Sequence, residues 1–389
     1  MGLRRAAVVA LASASFFMSY FSRLAWSIAS AYSDLRPTLY QDGVVFALFF
    51  AGYVAVQIPA GLLSDRAGPA RIAAAALLGL AGASALSGAA PDMEVEYAAS
   101  LAMGLSAGWI YPATVKLLSS EFGGGELPVA MGYYSLAWPL SVVVSGLALP
   151  AVSASLGWRW DYYMIAAASA ALALAYLPIR RPAEGASAGR PRAWRASFGG
   201  GVAVASAAGF MFFAAYWIVA LYAYRYFLSI GLNGYYAGLA YSATALLGVP
   251  ATVVAGYIIR RIGVKRTLVA FEGIYGALVM ALAAGPAAVF PDAAAMGFVR
   301  FVITPANSTA VSKIGGRSAG TAAGVANLFW QLSGAVSPPM ASAVVAALGF
   351  KALWIFAGLC RSPPPQYIKR FSTWSSAPSG PPGVGRAPQ

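Results

Sequence analysis

The sequence has no histidine and a single cysteine, Cys360, in 389 residues. A lone cysteine cannot form a disulfide or a thiolate metal cluster within the chain. Without histidine the chain also lacks the commonest metal ligand and the side chain that titrates most readily near neutral pH. These absences argue against metal, haem and serine-histidine-aspartate chemistry, and no G-x-x-x-x-G-K-[ST] phosphate-binding loop occurs. We therefore expect no enzyme activity, no cofactor and no metal.

Charged residues are scarce too. They make up 10% of the chain, against roughly 25% in soluble domains, while 60% of the residues are hydrophobic. A bilayer core of ~30 Å needs about 20 apolar residues per helix. Segments of that length recur and predict an all-α integral membrane protein with eleven full spans, near residues 6–30, 43–63, 72–90, 96–118, 128–152, 160–178, 199–228, 235–259, 267–285, 293–313 and 319–347.

The net charge of +14 has to be sorted by membrane side before it indicates a partner. Most of the 26 basic residues fall in segments on the same side as the N-terminus, including the linker "RRPAEGASAGRPRAWRAS". By the positive-inside rule the N-terminus is cytoplasmic and the protein lies in the plasma membrane, with its basic surface facing anionic lipid. We expect no nucleic-acid partner, because no soluble domain is left to bind one.

The chain repeats itself after about 193 residues. "AGLLSDRAGPAR" at 60–71 matches "AGYIIRRIGVKR" at 255–266, and "YPA" at 111–113 matches "TPA" at 304–306. The pattern predicts two pseudo-symmetric six-helix bundles at 1–178 and 199–360, joined by a basic cytoplasmic linker at 179–198. Parallel repeats of this kind are related by an axis along the membrane normal, with a cavity at their interface near the midplane. The prolines of the two matched motifs are expected to kink helices 4 and 10 at corresponding places.

The last predicted helix is incomplete. The repeat places a twelfth helix at 352–370, but its apolar start, "ALWIFAGLC", is followed by "RSPPPQYIKRFSTW", whose prolines break a helix. We therefore expect eleven spans, a half helix and a disordered tail at 361–389.

The first of the repeated turns resembles a family signature. Residues 61–71, "GLLSDRAGPAR", are similar to the loop G-x-L-x-D-R-x-G-x-[RK]-[RK] between helices 2 and 3 of the major facilitator superfamily, with alanine at one basic position. The segments "FFAGYVAVQIPAG" and "GWIYPATVKLL" look like the second and fourth helices of that family. The resemblance covers residues 1 to about 360. It implies a secondary transporter that works by alternating access.

The same resemblance implies a role for the loop. In the family it braces helix ends on the cytoplasmic side, so Gly61, Asp65, Arg66, Gly68 and Arg71 would act in gating. Asp65 would accept hydrogen bonds at a helix N-terminus, whose partial positive charge favours a carboxylate. The alternative is that both turns only mark the cytoplasmic side. The second copy has arginine at position 260 where the first has aspartate, so its brace must differ.

Ionisable side chains at membrane depth are costly and are functional candidates by default. Three lie well inside the predicted spans: Arg23, Glu272 and Arg300. Tyr20 lies on the same helix face as Arg23, and further uncharged polar groups that a cavity could use are Gln57, Asn307, Asn327 and Gln331. Either arginine could instead extend to the membrane surface, and Glu272 could pair with a loop arginine or carry a proton.

Two arginines and one carboxylate leave a cavity positive by about one charge, which an anion would neutralise. The segment from Tyr20 to Arg23 is similar to the Y-x-x-R-like stretch of the organic-anion symporters in the superfamily, with Ser22 where an acid often stands. We therefore expect a small organic anion as substrate, bound by Tyr20, Gln57, Asn307, Asn327, Gln331 and both arginines. Glu272 is grouped with the gating residues. Sodium coupling and simple exchange stay open, since the absent acid and histidine weaken proton coupling.

Two other functions fit the same sequence. One is a membrane sensor or receptor that has this fold and does not transport, and the other is an inactive remnant with a truncated twelfth helix. In each case we expect a monomer in the lipid bilayer. The transporter would have as partners a small-molecule substrate and, in the coupled case, an ion.

Overall fold

The computed structural model describes residues 2–123, 126–179, 200–315 and 319–360. This part of the chain forms α-helices joined by short turns and three single-turn 3₁₀ helices, and it contains no strand. The helices are α1 (Leu3–Ala29), α2 (Leu39–Ala67), α3 (Pro69–Gly88), α4 (Met93–Glu121), α5 (Glu126–Ser135), α6 (Ala137–Ser155), α7 (Trp158–Ala175), α8 (Gly200–Ser229), α9 (Gly234–Leu246), α10 (Gly248–Ile262), α11 (Val264–Ala281), α12 (Val289–Gly315) and α13 (Ala319–Leu359).

Ten helical segments in these ranges are long and apolar enough to cross a membrane, so the chain is a multi-pass membrane protein. The prediction of eleven full spans is wrong by this measure. The exception is α4, which forms where the fourth span was predicted but is not among the ten. Its first turn carries Glu94 and Glu96. It packs between α2 and α3, where Glu96 is buried while Glu94 is exposed.

Two predicted spans are each broken into two helices. Leu136 separates α5 from α6, and Leu247 separates α9 from α10. In both cases the third residue of the following helix is a proline, Pro139 or Pro250. Proline has no N–H for the helix ladder and clashes with the carbonyl four residues earlier, so the helix restarts where that missing donor costs nothing.

The internal repeat is visible in the backbone. Gly68 and Gly263 precede α3 and α11 with φ of 90° and 85°. Gly157 and Gly349 have φ of 95° and 78°. These values lie in the region that only glycine enters without strain. Glycines with the same backbone conformation therefore recur at corresponding places in the two halves.

The end of the described chain contains the predicted half helix. α13 is interrupted at Gly349 and continues as a helix to Leu359, so the segment predicted to begin a twelfth helix is helical. The tail at 361–389 and nearly all of the linker at 179–198 lie outside the described residues.

Successive spans alternate in direction. The turns at Gly68 and Gly263 therefore lie on the side of the molecule where α1 begins, here called the N-terminal side. The turns at 30–38, 156–157 and 230–233 lie on the opposite side. The helices before residue 180 and those after residue 199 contact each other through α2 with α13, α6 with α9, and α1 with α8. The candidate site lies between these pairs.

Candidate functional site

A cavity of about 430 Å³ lies between the two sets of helices. Its lining comes from both halves, and most of it lies on the parts of the helices nearer the N-terminal side. The lining residues are Phe16, Tyr20, Tyr53, Tyr111, Met131, Tyr134, Ser135, Trp138, Phe213, Thr252, Phe301, Thr304, Pro305, Ser308, Thr309, Asn327, Trp330 and Gln331. The volume is typical of small-molecule sites, which span about 300–1,000 Å³.

Arg23 lies next to this cavity, behind its aromatic lining. Its side chain is 1% exposed, so it does not extend to the membrane surface. Its Cζ atom lies 4.4 Å from the ring centre of Tyr20, 4.5 Å from that of Tyr53 and 4.7 Å from that of Phe50. None of its guanidinium nitrogens has a hydrogen-bond partner among the described residues. The charge is therefore stabilised by ring faces rather than by an acid.

Arg300 has the same kind of surroundings in the other half. It is 2% exposed, and its Cζ atom lies 3.5 Å from the ring centre of Tyr216 and 4.2 Å from that of Trp138. Its guanidinium nitrogens likewise have no hydrogen-bond partner within the described ranges. Each cation–π contact contributes about 0.5–2 kcal/mol, less than the several kcal/mol that burying an ion costs.

The two arginine environments are joined by aromatic side chains. Trp138 contacts Tyr20, with ring centres 5.1 Å apart, and Tyr216 contacts Trp217 at 4.5 Å. Trp217 in turn lies 5.3 Å from the Arg23 Cζ atom. Tyr20 and Trp138 also line the cavity. They therefore stand between the cavity and the two guanidinium groups.

Of the remaining predicted binding residues, two line the cavity and two do not. Asn327 and Gln331 line the cavity with Tyr20. Gln57 donates from its amide to the Gly108 carbonyl oxygen at 3.2 Å. Pro112, four residues on, has no N–H to donate to this carbonyl.

Asn307 is 4% exposed and lies next to Glu272, which is 5% exposed. Neither of these two residues lines the cavity. The predicted pairing of Glu272 with a loop arginine stays a prediction.

The turn at 61–71 is described only in part. Gly61, Asp65 and Arg66 lie in the last two turns of α2, and Gly68 separates α2 from α3. Arg71 is exposed in the first turn of α3. The side chains of Asp65 and Arg66 lie outside the described residues, so their predicted hydrogen bonds and pairing across the interface stay predictions.

A contact between the halves that sequence reasoning missed lies on the opposite side. The Arg225 guanidinium of α8 lies 3.0 Å from the Asp42 carboxylate of α2 and donates to the Ser30 carbonyl oxygen at 3.0 Å. Asp42 also accepts from the Trp26 indole at 3.0 Å. A lone arginine near a helix end gives no sequence signal for a partner 183 positions away.

Further contacts close the same side. The hydroxyls of Tyr32 and Tyr224 are 2.6 Å apart, and these residues are separated by 192 positions, the length of the repeat. Tyr222 donates to the Leu39 carbonyl oxygen at 3.0 Å, and Ser242 donates to that of Val143 at 2.8 Å. The two halves are thus joined opposite the cavity.

Sequence reasoning did not select four carboxylates that stand at the ends of apolar runs. Asp42, Glu96, Asp161 and Asp292 are also buried, with exposures of 8% or less. Each lies in the first turn of a helix, where the partial positive charge of the helix end stabilises a carboxylate. Within the described ranges, no group of three histidine, cysteine, aspartate or glutamate residues could hold a metal ion.

The chain resembles known transporters in fold and in part of its sequence. The family model of the Major Facilitator Superfamily matches residues 9–338. In structure the chain is similar to a bacterial homolog of the human lysosomal transporter Spinster in an inward-facing, unoccupied conformation, with a TM-score of 0.76, 15% identity and coverage of 96% of this chain and 95% of that one. It is also similar to the nucleoside transporter NupG, with a TM-score of 0.78, 12% identity and coverage of 94% and 99%. At these identities the likeness shows the fold alone.

Two curated relatives are named for acids. A probable L-galactonate transporter of Escherichia coli K12 is 25% identical over 169 residues, which are 43% of this chain and 37% of that protein. A probable sulfoacetate transporter of Cupriavidus necator is 24% identical over 163 residues, or 41% and 38%. The chain thus spans less than two fifths of the length of these relatives. The match over residues 9–338 nevertheless covers most of the sequence, and this chain belongs to the Major Facilitator Superfamily.

Proposed function

We propose that this protein is a secondary transporter that moves a small organic anion across the membrane by alternating access. The observation that carries the proposal is the pair of buried arginines, Arg23 and Arg300. One comes from each half, they lie beside a cavity between the halves, and neither has an acid or hydrogen-bond acceptor among the described residues.

Energetics support an anionic substrate. A buried, unpaired charge costs several kcal/mol, and aromatic contacts offset only part of that cost. A guanidinium offers a planar fork of donors that fits a carboxylate, sulfonate or phosphate. The guanidinium groups of Arg23 and Arg300 would both be paired if an anion displaced the aromatic rings that now cover them. The two relatives named for galactonate and sulfoacetate, both of which are anions, agree with this class.

The distribution of contacts between the halves supports alternating access. Arg225 with Asp42, and Tyr32 with Tyr224, join the halves on the opposite side, while the cavity lies nearer the N-terminal side. With the predicted cytoplasmic N-terminus, this corresponds to a conformation closed to the outside. An anion reaching the arginines would then pass outward when these contacts break. The turn at 61–71, with Asp65, would brace the other conformation.

The test is uptake into vesicles that contain the purified protein, with and without an ion gradient. We expect uptake of carboxylates or sulfonates in preference to neutral sugars and cations. Replacing Arg23 or Arg300 with lysine keeps the charge but loses the planar fork, so uptake should fall roughly 10- to 100-fold, as expected for the loss of hydrogen bonds to a charged group. Arg260→Lys, at an exposed position of α10, is the matched control and should transport normally.

Two results would overturn the proposal. One is a preference for a cation or a neutral sugar. The other is full uptake by both Arg23→Ala and Arg300→Ala. Absence of any flux, combined with specific ligand binding, would favour the sensor or receptor alternative.

A further inference from the structure

The cavity has two chemically different walls. Its lining from residues before 180 consists of six aromatic side chains with Met131 and Ser135. Its lining from residues after 199 adds three aromatic rings and a set of uncharged polar side chains: Thr252, Thr304, Ser308, Thr309, Asn327 and Gln331. None of the residues lining the cavity is charged. A ligand here would meet ring surfaces on one side and hydrogen-bonding groups on the other.

The aromatic wall is formed mainly by ring surfaces. Phe16 and Tyr134 are stacked, with ring centres 4.8 Å apart and an interplanar angle of 11°. The Tyr134 hydroxyl is hydrogen-bonded to the Thr114 hydroxyl at 2.7 Å, inside the helix packing. This wall therefore suits stacking on a planar, apolar ligand. A ligand without a flat ring would not gain this stacking.

The polar wall has limited donor capacity. The hydroxyls of Thr252 and Thr309 donate to backbone carbonyls of their own helices at 2.7 Å, so they offer only acceptors to a ligand. The free donors come from the amides of Asn327 and Gln331, which are four residues apart and so lie on one face of α13. These two amides can bind one edge of a ligand, whereas an extended chain of hydroxyls needs partners on every side.

The two guanidinium groups make the electrostatic potential positive at one end of the cavity, here called its floor. The floor is formed by Tyr20, Trp138 and Phe301, which line the cavity. The ring centre of Tyr20 lies 4.4 Å from the Arg23 Cζ atom. The ring centres of Trp138 and Phe301 lie 4.2 Å and 4.6 Å from the Arg300 Cζ atom. In a low-dielectric site these charges attract an anionic group toward the floor. The remainder of the ligand then lies between the aromatic and the polar wall.

We infer that the substrate is an aromatic acid: a planar ring that packs against the aromatic wall and carries one anionic group directed at the floor. This inference rests on the proposed function, because it names the class of organic anion that the same site takes. It separates this chain from a carrier of open-chain hydroxy acids such as galactonate, which have no flat ring to pack against the aromatic wall.

The experiment compares four probes by ligand-induced thermal stabilisation of the purified full chain and by competition for uptake. The probes are benzoate, cyclohexanecarboxylate, gluconate and benzamide. We expect benzoate to bind about 10-fold more tightly than gluconate, because gluconate has no ring to stack and its flexible chain must be ordered on binding. It should also bind about threefold more tightly than cyclohexanecarboxylate, because the aliphatic ring cannot stack.

Substitutions in the cavity lining distinguish a change in ligand preference from a loss of folded protein. Tyr134→Leu and Trp330→Leu each remove one ring of the lining, and the ratio of benzoate to gluconate affinity within each variant should fall several-fold toward one. Trp160→Leu is the control, because Trp160 is half exposed on α7, away from the cavity. The ratio is measured within one variant, so partial loss of folded protein does not change it.

Different results would overturn the aromatic-acid inference and the organic-anion proposal. Gluconate binding as well as benzoate, cyclohexanecarboxylate equal to benzoate, or an unchanged ratio in both wall variants overturns the aromatic acid and leaves the organic anion standing. Benzamide binding as well as benzoate, or no stabilisation by any of the acids, overturns the anion proposal itself and the aromatic acid with it.

Discussion

The Arg225 guanidinium of α8 lies 3.0 Å from the Asp42 carboxylate of α2, with the two side chains only 19% and 2% exposed. This ion pair joins the two halves of the chain. It contrasts with the pair between Arg159 and Asp34 at 3.3 Å, which is more exposed and lies within the first half. An exposed pair contributes about 0–1 kcal/mol, whereas removing one partner of a buried pair costs about 3–5 kcal/mol. The Arg225–Asp42 pair is therefore the stronger candidate for holding the opposite side closed.

The first prediction is that Arg225→Met opens the opposite side. The substitution leaves Asp42 buried without its cation, which should destabilise the closed arrangement by about 3 kcal/mol, the lower end of that range, because Arg225 is partly exposed. Spin labels on cysteines at the exposed positions 40 and 235, at the starts of α2 and α9, would report the separation of the halves in a Cys360→Ser background. We expect a new population at longer distance.

The control for this measurement is Arg159→Met, which removes a pair within one half and should leave the distance distribution unchanged. Exchanging the charges in an Asp42→Arg and Arg225→Asp double variant should restore part of the short-distance population. If Arg225→Met gives the same distribution as the original chain, the pair does not hold the halves together.

The second prediction concerns the crossing of α6 and α9. Gly146 and Gly238 meet there, and a Cβ atom on either glycine would collide with the backbone of the other helix. Gly238→Leu should therefore prevent this close approach, favour the conformation open on the opposite side and reduce uptake at least 10-fold. Gly256→Leu on α10 is the matched control, because nothing lies within 4 Å of a Cβ there. Normal uptake by Gly238→Leu would show that the crossing is not required.

The third prediction tests why Gln57 is present. Its amide donates at 3.2 Å to the Gly108 carbonyl oxygen, which Pro112 leaves without a backbone donor. Gln57→Leu should lower the thermal stability by the equivalent of roughly 0.6–2 kcal/mol, the range for hydrogen bonds between membrane helices. In a Pro112→Ala background the backbone N–H returns and the same substitution should cost little. An equal loss in both backgrounds would mean that Gln57 acts elsewhere, for example on substrate.

Sequence reasoning recovered the fold because apolar length and repetition are properties of the chain itself. The spans predicted around Arg23 and Arg300 both form as helices, α1 and α12. The breaks at Leu136 and Leu247 were missed, although Pro139 and Pro250 cause them. A proline is compatible with both a kinked continuous helix and a restarted one. Pro112, for example, lies inside the continuous α4.

The site was harder to predict because it depends on pairs that are distant in sequence. Arg23 and Arg300 were selected from the sequence because a charge is costly in an apolar run. The sequence did not predict that Tyr216 and Trp138 would cover Arg300. Asp42 was not selected, since helix ends in sequence do not reveal how deeply a carboxylate is buried. Pattern identifies isolated polar residues, whereas burial at helix ends follows from how the helices pack.

The fourth prediction comes from the sequence alone. Asp65→Asn keeps the shape and removes the charge, so the exchange between the two conformations should slow while substrate affinity changes little. Transport rate and ligand-induced stabilisation, measured on the same preparation, separate these effects. A wild-type transport rate at normal expression would leave the turn as a marker of membrane side only.

The last prediction concerns the rings between the cavity and the arginines. Trp138 lines the cavity, and its ring centre lies 4.2 Å from the Arg300 Cζ atom, so it should shield that guanidinium from a reagent in the cavity. Trp138→Ala should therefore raise the rate at which phenylglyoxal modifies Arg300, read by peptide mass spectrometry, about 10-fold or more. Trp138→Phe keeps a ring and should react slowly, and Trp160→Ala controls for the loss of an indole elsewhere.

Modification of the exposed Arg260 provides the internal reference for reagent access in every variant of this series. If Arg300 in the unmodified sequence already reacts as fast as Arg260, Trp138 does not cover it, and the guanidinium is open to the cavity. If Trp138→Ala leaves Arg300 protected, Tyr216, whose ring centre is 3.5 Å from the Cζ atom, is the ring that must move. In the expected case, the anion reaches Arg300 by displacing Trp138, so Trp138→Ala should bind benzoate through the arginine while losing the stacking contribution of that ring.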